Sequence, residues 1–115
     1  MVYNTIILEK YEHIARLTLN RPDRLNALNE EMFSELNHAL DDVIADKSLR
    51  VMILTGAGRA FSAGGDLDMI EGFKGDLEAI SGVMKEAGDI VYNITNLDKP
   101  VVSAINGVAV GAGLA

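Results

Sequence analysis

Cysteine is absent from the 115 residues, and that absence removes several chemistries at once. A disulfide framework, a thiolate zinc site and a cysteine nucleophile are all excluded. Positive charge is also scarce: 10 Lys and Arg stand against 17 Asp and Glu, a formal net charge of −7. Nucleic-acid and anionic-membrane surfaces need a basic footprint, so neither partner is expected, and a phosphorylated ligand would depend on a local cluster of cations. The amino terminus enters Tyr3-Asn4-Thr5-Ile6-Ile7-Leu8-Glu9 with no basic segment ahead of an apolar run. No secretory signal is expected there, and the chain reads as cytoplasmic. Long apolar runs are missing too. Val101 to Ala115 carries no charge but is shorter than the ~20 apolar residues of a spanning helix, and it includes Ser103, Asn106 and several glycines. It reads as a buried strand followed by a glycine turn.

What is present is enough apolar content, 49%, for one core and a single domain or part of one. Tyr3 to Glu9 and His13 to Leu19 are β-rich runs separated by Lys10-Tyr11-Glu12, which predicts a hairpin. Arg21-Pro22-Asp23-Arg24 breaks the pattern. Asn29 is suited to an N-cap, with Glu30 and Glu31 in the first turn. Met32, Phe33, Leu36, Leu40, Val43 and Ile44 then recur at helical spacing, predicting an amphipathic helix over Glu30 to Ala45. A strand at Val51 to Leu54 follows. Leu77, Ile80, Met84, Ala87, Val91 and Ile94 mark a second helix despite Gly82 and Gly88, each of which costs ~1 kcal/mol against alanine in a helix interior. The order is α/β, without internal repeats.

Two glycine turns stand out against this frame. Val51-Met52-Ile53-Leu54 leads through Thr55-Gly56-Ala57-Gly58 into Ala60-Phe61-Ser62-Ala63-Gly64-Gly65-Asp66-Leu67, and the apolar strand from Val101 leads into Asn106-Gly107-Val108-Ala109-Val110-Gly111-Ala112-Gly113. Small residues and glycines let backbone approach a ligand, so main-chain N–H groups become the working donors. Two such turns, each at a strand end, point to two N–H groups converging on one oxygen, as an oxyanion hole requires.

Rival motifs fail on spacing. Gly56-Ala57-Gly58 begins like a dinucleotide fingerprint, but Phe61 stands where the third glycine belongs, and no Gly-Lys-Ser/Thr follows for a P-loop. Ala60-Phe61-Ser62-Ala63-Gly64 approaches a nucleophile elbow, yet Ala60 replaces its first glycine and no helix is expected immediately after it, so Ser62 reads as a small turn residue. His38, on the polar side of the first helix, reads as solvated, and His13 as an edge-strand residue; neither has a metal-ligand or triad partner. Asp66, Asp68 and Glu71 lack the calcium-loop pattern and read as a solvated turn with helix-start acids.

Five ordered segments, Ala15 to Pro22, Leu25-Asn26-Ala27-Leu28, Val51 to Gly58, Ala60 to Leu67 and Lys99-Pro100-Val101 to Gly113, together resemble the amino-terminal part of the enoyl-CoA hydratase/isomerase (crotonase) family. The resemblance implies a crotonase-like spiral of ββα units. Residues 1–115 would be the amino-terminal part of one such domain, incomplete at its C-terminal end. It implies an acyl-CoA thioester as ligand, hydratase or isomerase chemistry, and coenzyme A as part of the substrate with no separate cofactor. Full-length members assemble as trimers or dimers of trimers, so a homo-oligomer is expected. The alternative is a truncated or split, non-catalytic fragment that keeps part of the CoA-binding surface.

Carried over position by position, the resemblance assigns the two oxyanion-hole N–H groups to Gly65 and Ala112, with Ala112 opening a helix. Arg24, Leu25 and Ala27 in the loop after Asp23, the segment Ala63, Gly64, Asp66, Leu67 and Asp68, and Gly111 in the second turn stand where the family wraps the ligand. Arg24 is the local cation for a phosphate, with Arg21 and Arg59 as helpers; for Arg21 the alternative is that it braces the turn at Pro22. Asp66 has two readings, a cap for the following turn or a ligand contact. Asp23 and Asp68 stand where some members carry lysine. Ala115 stands where two-glutamate hydratases carry their first catalytic glutamate, and a methyl group cannot activate water.

Overall fold

The computed structural model describes residues 2–115 and is α/β in its element order. β1 (Ile6–Tyr11) and β2 (Ile14–Leu19) form the expected hairpin. Tyr11 pairs with Ile14, so the turn is Glu12-His13, with Glu12 in the left-handed region at φ 54°; it lies beyond the expected turn because β1 extends through Lys10 and Tyr11. His13 is therefore a turn residue and not part of the strand, its ring Nδ1 2.9 Å from the Ser48 carbonyl. After a 3-10 turn at Pro22–Arg24 come α1 (Glu30–Ala45), β3 (Val51–Gly56), β4 (Ala60–Ser62), α2 (Leu67–Gly72), α3 (Leu77–Thr95), β5 (Val101–Ala104) and β6 (Val108–Ala109).

Strands β1-β2-β3-β5 make one sheet, antiparallel at β1/β2 and parallel from β2 onward, while β4 and β6 pair in parallel as a second, two-stranded sheet. Alternation explains which face is covered: Ala15, Leu17 and Leu19 of β2 and Met52 of β3 are buried, and the residues between them point away. α1 lays Met32, Phe33, Leu36, Ala39, Leu40 and Val43 on that face. Asn29 caps α1 as expected, its Oδ1 accepting from Met32 N at 3.0 Å. Glu35 points inward from α1 and fastens the chain ahead of β1, accepting from Asn4 N (2.9 Å), Thr5 N (2.7 Å) and Thr5 Oγ1 (2.6 Å). Burial alone would raise its pKa; these three donors outweigh burial and hold it below the ordinary glutamate value. His38 is exposed as expected, with Nδ1 2.7 Å from the Tyr3 hydroxyl.

Three further expectations are corrected. A helix, α2, does follow the first glycine turn; six residues hold too few apolar positions for periodicity to reveal it, and Asp66 starts it as N-cap. The uncharged stretch from Val101 is not buried: Val102, Ile105, Val108, Val110 and Leu114 are all about half exposed or more. β5 pairs with β3 alone at the edge of its sheet; its Val101 packs against the core, and Val102, Ser103 and Ala104 are exposed. The helix expected at Ala112 is a 3-10 turn, Gly111–Gly113.

Candidate active site

Parallel pairing of β4 with β6 brings the two glycine turns together, because it puts the C-terminal ends of both strands on the same side. Val110 N donates to Ser62 O at 3.2 Å across the gap. Gly64 sits at φ +97°, where L side chains are strained, and a Cβ there would stand 3.0 Å from Val110 O and 3.7 Å from Ala112 N. At Gly113 a Cβ would come within 2.6 Å of the Ser62 side chain. The turns are thus in backbone-to-backbone contact. Among the described residues, neither Gly65 N–H nor Ala112 N–H donates to another group of the chain. Gly65 is half-buried and Ala112 exposed.

A lattice of hydrogen bonds holds the first turn. Leu28 N donates to Gly64 O (2.7 Å) and Asp66 N donates to Leu28 O (2.9 Å), a strand-like clasp on either side of Gly65. Ala63 N donates to Leu25 O (2.9 Å). The Ser62 hydroxyl donates to Asn26 O (2.8 Å) and accepts from Gly64 N (3.2 Å), so it is committed to the turn, as its reading as a turn residue requires. Asn26, fully buried at φ 56°, was not singled out by sequence reasoning. Its Oδ1 accepts from Arg21 N, and its Nδ2 donates to Ala57 O and to Ala60 O, both at 2.9 Å. Asn106 reaches the same Ala60 carbonyl from the second turn at 3.1 Å and also donates to Gly58 O. The available signal was chemical: asparagine tolerates the left-handed region and carries both donor and acceptor, which suits it to a buried loop knot.

Arg21 braces this region, donating to Ala27 O (2.6 Å) and to Asp66 Oδ2 (3.0 Å). Asp66 takes the capping arrangement: Oδ1 accepts from Met69 N at 2.8 Å, so both carboxylate oxygens are engaged within the protein. The Met69 N–H lowers its pKa, burial opposes that, and Arg21 adds to the lowering, leaving the group ionised below the ordinary aspartate value. Arg24 lies outside this knot and pairs with Asp68 at 3.1 Å, both exposed. Leu67 is 76% exposed beside them, and Arg59 is exposed near the second turn. Ala63, Gly64, Gly65, Gly111 and Ala112 therefore come together, with Leu25 and Ala27 behind the first turn and Arg24, Leu67 and Asp68 at its rim. On the other side, Ala112 and Gly113 wall an apolar cavity of about 380 Å³ whose further lining includes Leu17, Leu54, Phe61 and Ile94. No group of acids and histidines suited to a metal ion occurs among the described residues.

The sequence model of the enoyl-CoA hydratase/isomerase family matches residues 9–115. The chain belongs to that family. A probable enoyl-CoA hydratase of Mycobacterium bovis is 37% identical over 121 aligned positions, covering 96% of this chain and 42% of the relative. A 1,2-epoxyphenylacetyl-CoA isomerase of Escherichia coli is 41% identical, covering 87% of this chain and 39% of its own length. A crystal structure described as an enoyl-CoA hydratase/carnithine racemase from Magnetospirillum magneticum superposes with a TM-score of 0.91 at 36% identity, over 98% of this chain and 43% of that one. The fold is thus crotonase-like, as the resemblance implied. The chain spans less than half the length of the relatives it matches.

Proposed function

We propose that this chain carries the carbonyl-activating half of an acyl-CoA enzyme of the hydratase/isomerase type. The observation that supports it is the meeting of two glycine turns whose Gly65 and Ala112 N–H groups have no partner among the described residues. In this reading both amides donate to the thioester oxygen and stabilise the enolate-like charge that develops there. Fixed donors act without reorganisation as the charge forms, and each is worth ~3 kcal/mol in the transition state. The ligand is an acyl-CoA thioester, with coenzyme A part of the substrate and no separate cofactor. In the same reading Arg24, Leu67 and Asp68 at the rim face its phosphorylated end, with Leu25 and Ala27 behind the turn. Cytoplasmic placement and a trimeric assembly belong to the same proposal; no helix among the described residues is long and apolar enough to cross a membrane.

Asp66 is not the general base in this reading, since its carboxylate is occupied by Met69 N–H and Arg21 and is held ionised by them. With Ala115 at the position implied for a glutamate, a one-acid reaction such as double-bond migration is favoured over two-carboxylate hydration. A non-catalytic role for the 115 residues alone, retaining part of the CoA surface, is the second reading; the free face of β5 and the turn after it favours it.

A pair of variants of the full-length protein tests the donor role. Gly65→Ala keeps the N–H and meets only the tip of Ile70 at 3.3 Å, so turnover of crotonyl-CoA or its β,γ-isomer should fall modestly. Gly65→Pro removes the donor and should lower turnover by ~10²-fold or more. Unchanged turnover in Gly65→Pro would overturn the assignment.

A further inference from the structure

Two ion pairs join the loop around Pro22 to the start of α2, and they differ in burial. Arg21–Asp66 is internal, with side-chain exposures of 16% and 8%, whereas Arg24–Asp68 is external at 56% and 79%. The inner pair is tied into backbone on both sides, through Ala27 O and Met69 N. The outer pair has no such anchorage: among the described residues, the only side-chain bond made by either member is Arg24 Nη1 to Asp68 Oδ2 at 3.1 Å. Asp23, next to Arg24 in the chain, is a second exposed carboxylate at this rim. The cation best placed to meet a phosphate is therefore already neutralised, in a chain whose net charge is −7.

Resting on the reading of this site as one for acyl-CoA, we propose that Asp68 is a specificity-determining residue that occupies Arg24 and must be displaced before the phosphorylated end of the ligand is held. A phosphate arriving at the guanidinium replaces a carboxylate and not water, so part of its attraction is cancelled by the bond it breaks. The released Asp68 then faces the incoming negative charge. Both effects weaken the nucleotide end of the ligand and leave the thioester end, at the glycine turns, untouched. Because the pair is exposed and screened by salt, the effect is small, about two- to fivefold in Kd at low ionic strength.

The experiment is a calorimetric titration of the protein and of its Asp68→Asn, Arg24→Gln and doubly substituted forms. Each is titrated with crotonyl-CoA and with crotonyl-pantetheine, which lacks the nucleotide phosphates. Asp68→Asn should tighten crotonyl-CoA by about two- to fivefold, and the gain should shrink in ~0.5 M salt. It should be absent with crotonyl-pantetheine and clearly smaller when Arg24 is already Gln, where only the repulsion by Asp68 is left to relieve. Thermal melts check that the exposed substitutions leave the fold intact. If Arg24→Gln weakens crotonyl-CoA binding but Asp68→Asn does not strengthen it, or strengthens it equally without Arg24, the proposal for Asp68 fails and the acyl-CoA reading stands. If the unsubstituted protein does not bind crotonyl-CoA, or Arg24→Gln leaves its affinity unchanged, the phosphate role of Arg24 fails and the proposal with it.

Discussion

Asn26 does more for the geometry of the candidate site than any residue named from sequence. It joins the loop after β2, the turn after β3 and the start of β4 through one fully buried amide. Its neighbour Leu25 is also left-handed, at φ 52°, a conformation that costs an ordinary residue about 1–2 kcal/mol, so the loop persists only while its bonds over-determine it. Asn26→Ala would strand Arg21 N and Ala57 O and leave Ala60 O to Asn106 alone, and is expected to lower stability by about 2–3 kcal/mol, measured as the shift in urea midpoint multiplied by the slope. Asn26→Asp, which keeps the acceptor but places a buried charge against two carbonyl oxygens, should be no better tolerated. The two glycine turns were legible because such turns have a local signature; Gly65 and Ala112 within them are what the resemblance implies. Asn26 was not legible, because its partners lie 5, 31 and 34 residues away in sequence.

Elements were legible where their cause is local. α1 has an N-cap, acidic first turn and apolar periodicity, and it spans Glu30–Ala45 as those features require. α3 runs from Leu77 to Thr95 through both Gly82 and Gly88, because packing of Val83, Ala87, Ile90 and Ile94 on the core compensates for their propensity. A Cβ at Gly82 would meet nothing within 4 Å. Gly82→Ala is therefore expected to stabilise the chain by up to ~1 kcal/mol, read as a rise in the urea midpoint at unchanged slope. α2 escaped detection for the opposite reason: it exists through its cap, Asp66, whose carboxylate is itself positioned by an arginine 45 residues earlier. β5 is the strand expected from Val101, but Val108–Ala109, expected as part of the glycine turn, forms the short strand β6, and neither is buried as expected, since an uncharged run reports what a segment avoids and not what covers it.

At the scale of the whole molecule, acid sensitivity follows from carboxylates that the fold holds ionised. Asp46 is lowered from 3.8 to about 2, first by its bond to Lys10 and then by the Ser48 hydroxyl and N–H. Glu35 and Asp66 are also lowered, by the contacts described above. Because these folded-state values lie below those of the unfolded chain, the stability they contribute is complete above the ordinary carboxylate range. It is lost as pH falls through the folded values. Urea midpoints should be flat from pH 7 to about 5 and fall steeply between about pH 4.5 and 2. Asp46→Asn should flatten the lower part of that fall; an unchanged profile would mean that its pair with Lys10 contributes nothing. On the same scale, α3 leaves Leu77, Met84, Val91 and Tyr92 half exposed or more, with Val91 at the wall of the apolar cavity, so much of the apolar surface of these residues is not covered by the described residues.

Capping, helical periodicity, strand alternation and glycine turns are set by neighbours a few residues apart, and the sequence by itself determined these: the α/β order, the hairpin, α1, and two backbone-presenting turns. Only the tertiary structure decided that the turns meet, through the parallel pairing of β4 with β6, whose Ala60 and Val108 are far apart in the chain. It also decided that Arg21 braces Asp66 while Arg24 is held by Asp68. The sequence contained both arginines and both aspartates, and which carboxylate each arginine meets depends on where α2 starts relative to the loop at Pro22, a distance that no local pattern encodes.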